Sequence, residues 1–230
     1  MATEYGIAAA DGYVNSTGAA WATSRDGTAG TAVNNSASSP QAVGIDFTSG
    51  RTTTYIIYRS FFAFDTSGIS STVSSATLKI QGRTNNAADF FVVKSEHQNP
   101  LVGADYDAIT GWSSGDNSGN VTKYSSEVTS WNSTSYNTIT LNAAALSDLV
   151  SLSTFKVCLI EADHDLVDSA PTSDLYTGMW YTEALGTAQD PYIDYTLSVG
   201  YGNDVIGVAS ANISKINGIA TADISKVNGV

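Results

Sequence analysis

The sequence predicts an all-β protein: a jelly-roll β-sandwich with one short helix and a C-terminal repeat extension. Three observations carry that prediction. Apolar residues fall in short runs bounded by Gly, Asn, Asp and Ser, the pattern of strands and turns and not of long helices. Charged residues make up only 14% of the 230-residue chain, against roughly 25% in ordinary globular domains, and Ser, Thr, Asn and Gly replace them. One segment alone has helical composition, and the chain ends in an internal repeat.

Tyr5 to Val14 reads as an opening strand, and Asn15 to Ser39 as a small-residue loop that Trp21 pins to the core. Thr54 to Asp65, Thr-Tyr-Ile-Ile-Tyr-Arg-Ser-Phe-Phe-Ala-Phe-Asp, is so dense in β-branched and aromatic residues that both faces of the strand should be buried. Asp65-Thr66-Ser67-Gly68 is a turn in which the Asp side chain bonds the following backbone. Val73 to Gln81 alternates apolar and polar residues. Asp89 to Lys94 is a short strand, Gly111 to Asn120 a polar loop, and Thr138 to Leu141 another strand. Asn142 to Val150 is the helix, short and alanine-rich. Phe155 to Glu161 and Pro191 to Val199 close a body of roughly eight to ten strands, a domain of residues 1–200.

Residues 201–230 form a separate arm. Val208-Ala-Ser-Ala-Asn-Ile-Ser-Lys-Ile-Asn-Gly218 is followed at once by Ile219-Ala-Thr-Ala-Asp-Ile-Ser-Lys-Val-Asn-Gly229, identical at seven of eleven positions. Asn-Gly closes each unit, a turn or helix-stop signal, so short helical turns or strand-turn units fit better than one helix. Two units cannot build a core. Burying the apolar side chains would contribute on the order of 10 kcal/mol, less than the entropy lost in ordering the segment. The arm therefore needs backbone pairing or a partner groove, and Val208, Ile213, Ile216, Ile219, Ile224 and Val227 are its expected docking face. Asp204 and Asp223 balance Lys215 and Lys226, so the entire net charge of −12 lies on the body.

That charge excludes classes of partner. Clustered Lys and Arg for a phosphate backbone are missing, so neither nucleic acid nor an anionic membrane is expected. No run approaches the length of a membrane-spanning helix, and the N-terminus lacks the basic-then-apolar pattern of an export signal. Cys158, the one cysteine, lies in an apolar run and reads as a buried hydrophobe.

Chemistry is sparsely signalled. His97 and His164 are the only histidines, and no serine sits in a nucleophile elbow. Asp163, Asp165 and Asp168, like Asp105 and Asp107, are acids on loops, without the spaced ligand series of a calcium loop. No catalytic residue, metal or cofactor is expected. The local alternative is glycan binding: of four loop tryptophans, Trp112 with Asp116 and Asn117 has the aromatic face and polar neighbours a sugar needs, although loop tryptophans more often anchor loops.

The block Arg59-Ser-Phe-Phe-Ala-Phe-Asp-Thr-Ser-Gly-Ile69 followed by Val73-Ser-Ser-Ala-Thr-Leu-Lys-Ile80 resembles the central signature of DNRLRE-type jelly-roll domains. Ala10-Asp-Gly-Tyr-Val14 is similar to their opening, and Asp190-Pro-Tyr-Ile-Asp-Tyr195 to their closing strand. The resemblance implies a jelly roll with a binding or scaffold role and no catalytic residues, of the carbohydrate-binding-like kind found in secreted proteins and bacteriophage virions. The physical reading of the block agrees: Arg59 is expected to pair with Asp65 or another inward acid, while the aromatics fill the core. Without an export signal and with a sticky arm, the chain is expected to be a virion structural protein (capsid decoration, head fibre, or tail or fibre component). It would be a homo-oligomer meeting copies of itself and other virion proteins, with a host-surface glycan as a further partner.

Overall fold

The computed structural model describes residues 2–34, 36–182, 188–198, 215–216 and 219–220. Among them, the body strands are β1 (Ala2–Tyr5), β2 (Gly12–Gly18), β3 (Ala32–Asn34), β4 (Ser38–Thr48), β5 (Thr54–Asp65), β6 (Val73–Asn86), β7 (Phe90–Lys94), β8 (Tyr136–Thr140), β9 (Thr154–Glu161), β10 (Leu175–Trp180) and β11 (Tyr192–Leu197). Two helices join them, α1 (Trp21–Arg25) and α2 (Ala143–Ser151). Every ladder is antiparallel, and the eleven strands are hydrogen-bonded into one continuous sheet.

The sheet folds on itself into an all-β sandwich. Strand β6 is the hinge: Val73 to Gln81 pairs with β11 and β8, and Gly82 to Asn86 pairs with β10. Strand β5 divides likewise, giving Thr54–Tyr58 to β4 and Ser60–Asp65 to β9 along one edge, with β2 on the other. The layer of β1, β11, β6 and β8 thus packs over β5, β7 and β9. Between them lies the main core, where Leu78, Ile80, Ile139 and Ile193 meet Phe62, Phe64, Phe90, Val92, Phe155 and Val157.

Strand β5 is buried on both sides, as its composition predicts. Phe62 and Phe64 face the main core, whereas Ile57 and Phe61 face a second cluster with Val93, Cys158 and Ile160. The second cluster is roofed by irregular chain and not by a sheet: Leu101, Tyr106, Ile109, Val121 and Leu166 lie over it. An irregular roof has no ladder for its backbone, so its buried carbonyls must find other donors.

The turn and helix predictions hold. Asp65 Oδ1 accepts from Ser67 N at 3.0 Å. Asn142 caps α2, its Oδ1 accepting from Ala144 N and Ala145 N, and Ala145 and Leu149 enter the core. Trp21 pins its segment, donating to Asp168 Oδ1 at 2.9 Å and lying edge-on to Tyr55.

Other expectations need correction. The opening strand is two strands, β1 and β2, pairing with different partners. The 15–39 segment is not wholly loop, since it contains the end of β2, α1, β3 and the start of β4. Among the described residues the body has eleven strands, against the expected eight to ten; β4 and β10 carry turn-like residues in their interiors. Gly178 in β10 is there for close approach: a Cβ would lie 2.5 Å from Pro40 O of β4. Here a backbone contact, not the local pattern, decides the state.

Candidate functional site

Two fully buried arginines organise the irregular roof. Arg59, carried by β5, donates to both Asp165 carboxylate oxygens, Nε to Oδ2 at 2.8 Å and Nη2 to Oδ1 at 2.7 Å. It also donates to Tyr106 O at 2.9 Å and Arg25 O at 3.0 Å. Arg25, at the end of α1, donates to Asp165 O at 2.7 Å, Gly115 O at 2.6 Å and Asp26 Oδ1 at 2.6 Å. The fork of N–H donors on each guanidinium thus supplies the carbonyls that no strand can reach. Burial alone would weaken the Arg59 charge, but Asp165 together with Tyr106 and Cys158 beside it outweighs that and raises its pKa. The inward acid for Arg59 is Asp165; Asp65 is exposed and serves its turn.

Glu161 holds the neighbouring turn. Its carboxylate accepts from the backbone N–H of Asp163, His164 and Asp165, each at 2.8 Å. Burial pushes its pKa up to about 7 although those donors pull it down. Asp165 is therefore not a solvated loop acid but the counter-ion of the roof, whereas Asp163 and Asp168 are exposed. Asp105 also works inside its loop, accepting from Gln98 N and Val102 N. Among the described residues, no group of three His, Cys, Asp or Glu is placed to hold a metal ion.

The glycan candidates do not form one accessible face. Trp112 is half-buried, with the Arg59 and Arg25 guanidinium carbons 4.0 and 4.6 Å from its ring centroid. Asn117 is fully buried, its Oδ1 accepting from Ser113 N and its Nδ2 donating to Ser113 O and Gly115 O. Asp116 alone is exposed, and it accepts from Ser118 N in a turn. Trp112 and Asn117 thus anchor the loop, the ordinary role of such residues.

His97 is buried, with Nδ1 2.8 Å from Ser95 Oγ and its ring against Phe61. Burial, reinforced by Lys156, takes its pKa down to about 3. Cys158 is fully enclosed, and burial raises its thiol pKa well above the ordinary value.

In the arm, Lys215–Ile216 (β12) and Ile219–Ala220 (β13) pair antiparallel, Lys215 with Ala220 and Ile216 with Ile219. They form a sheet of their own, with no ladder to the body among the described residues. Ile219 is 55% exposed. The pairing fits strand units better than helical turns; Asn217 and Gly218 lie outside the described residues. Val208, Ile213, Ile224 and Val227 lie outside the described residues.

Sequence reasoning passed over one cluster, in which Tyr58 is buried and Tyr13, Tyr176 and Asp46 are half-buried. Tyr13, Tyr58 and Tyr176 come from β2, β5 and β10 to the same face of the sheet, beside Asp46 of β4. The signal was present in the period-2 spacing of Tyr13 and Asn15 and of Ile56 and Tyr58, but only strand register brings the residues together. No family model matches the chain and no curated protein matches it, so the resemblance to DNRLRE-type domains rests on the motif residues alone.

Proposed function

We propose that this chain is a structural protein, not a catalyst, that assembles through its C-terminal arm, in the setting of a bacteriophage virion. The observation that carries the reading is the arm's pair of short antiparallel strands. Among the described residues, it pairs Ile216 with Ile219 without a ladder to the body sheet and leaves Ile219 exposed. Two paired strands by themselves are marginal in water, so an apolar partner would hold them. The arm is electrically balanced beside a body of charge −12, so it approaches another acidic body without repulsion. Copies of the chain and other virion proteins are the partners this arrangement suits, with a homo-oligomer as product.

The test is the mass in solution of the full chain, of Ile219→Asp, and of a chain ending at Gly200. The reading expects an oligomer that falls to monomer in both variants while the body stays folded. An unchanged mass would sink it.

A second reading, glycan binding, finds no free aromatic face in the Trp112 loop, whose ring is engaged by the two arginines.

A further inference from the structure

Helix α2 carries more apolar surface than the core covers. Ala145 and Leu149 enter the core. Ala143, Leu146 and Val150 follow a neighbouring stripe at helical spacing: Ala143 is exposed, and Leu146 and Val150 are half-buried against the core's edge. Opposite that stripe lie Thr72 and Val73, where β6 begins. The two sides enclose a groove of about 510 Å³, lined by Ala143, Leu146, Ser147 and Val150 from the helix and by Thr72 and Val73 from the strand side. None of these six side chains is charged, on a body whose net charge is −12.

The body gives way to the arm at the rim of this groove. Leu197, the last residue of β11, pairs with Val73 and is 41% exposed. Ser198 N then donates to Thr72 O at 2.7 Å. Residues 199–230 therefore start beside the groove, and their charges cancel, Asp204 and Asp223 against Lys215 and Lys226. A neutral segment rich in isoleucine suits a neutral apolar groove, whereas a second acidic body pressed directly on this one is repelled. In the single chain Ile219 is 55% exposed, and β12 and β13 have no ladder to the body sheet among the described residues, so Ile219 still needs a cover. The stretch from Ser198 to Val208 reaches at most about 33–36 Å, enough to cross from one body to an adjoining one.

We propose that the α2 groove is the receptor for the C-terminal arm of a second copy, so that two chains exchange arms about a twofold axis. Exit and receptor lie side by side on each body. When two bodies meet at this rim, each arm's start adjoins the other's groove, and the contact is the same in both directions, as a twofold interface requires. The groove then covers the arm's isoleucines, and the arm covers the apolar stripe of α2 that the core leaves open. The inference rests on the reading of the arm as an assembly element and names the surface that receives it.

The experiment uses full chains throughout. Ser147→Glu places a charge on the groove's exposed rim, and Ala144→Glu places one at an exposed position of the same helix outside the lining. The natural chain and Ala144→Glu should share one oligomeric mass, and Ser147→Glu should be monomeric. Two single variants, Ser147→Cys and Ile219→Cys, produced together and mildly oxidised, should give a disulfide-linked pair of unlike chains; Cys158 is fully buried and does not compete. Suppose Ser147→Glu keeps its mass and the unlike chains do not link, while Ile219→Asp is monomeric. The groove is then overturned and the assembly reading stands. A Ser147→Cys/Ile219→Cys chain that links only within itself shows the arm on its own body and overturns the exchange. A natural chain that is itself monomeric, with no link formed, overturns both the groove and the assembly reading.

Discussion

Replacing Asp165 with Asn tests whether a charge pair holds the irregular roof. The side chains of Asp165 and Arg59 are both 0% exposed and share two N–H···O bonds of 2.7 and 2.8 Å. Asn keeps the size but removes the charge, and one of its ends presents N–H groups to a guanidinium that has only N–H to offer. Arg59 would keep its bonds to Tyr106 O and Arg25 O, which satisfy hydrogens but not charge. Removing one member of a buried pair costs about 3–5 kcal/mol. For a chain of this length, each kcal/mol moves the melting temperature by about 2–4 °C, so a fall of roughly 6–20 °C is expected. Urea unfolding followed by tryptophan fluorescence reads the free energy directly, and an unchanged slope would show that the unfolded state is not the cause. Arg59→Met should cost a similar amount, and the Arg59→Met/Asp165→Leu double variant should cost less than the sum of the single changes, because neither charge is then stranded. A cost below about 1 kcal/mol for Asp165→Asn, the range of exposed pairs, or strict additivity in the double variant, would refute the reasoning.

Two further outcomes follow from the same structure. His97 is held neutral, its pKa lowered to about 3 by burial and Lys156. Protonation therefore favours the unfolded chain: the stability it contributes is complete above the ordinary value near 6.5 and is lost as pH falls toward 3, at about 1.4 kcal/mol per unit. Glu161, raised to about 7 by burial, has the opposite sign, contributing most below its ordinary value and losing that contribution as pH rises to 7. The His97 effect is therefore read as the stability difference between the natural chain and His97→Gln, which should shrink steadily from pH 6 to pH 4; a constant difference would contradict it. Asn142→Ala removes the α2 cap that serves Ala144 N and Ala145 N and should cost about 1 kcal/mol in the same urea assay, whereas Asn142→Ser should restore most of it.

Much of the fold was legible because it rests on local rules. A run such as Thr54 to Asp65 has too many β-branched and aromatic side chains to face water on either side. Asp65 and Asn142 bond backbone groups two or three residues away, so their roles follow from adjacency in the chain. The acidic body, the balanced arm and the repeat ending in Asn-Gly were equally plain, since charge and periodicity do not depend on the fold. What the chain's order could not reveal was pairing at a distance. Strands β4 and β10 carry Gly44 and Gly178, which look like turns until the neighbouring backbone that requires them is in place. Asp165 looks like any loop acid until β5 brings Arg59 beneath it, 106 residues away in sequence. Trp112 looks like a free aromatic until the two guanidinium groups lie against its ring. The sequence by itself determined the β class, the C-terminal repeat and the distribution of charge; the tertiary structure alone decided which polar side chains were enclosed and which tyrosines shared a face, because burial and register depend on contacts between residues far apart in the chain.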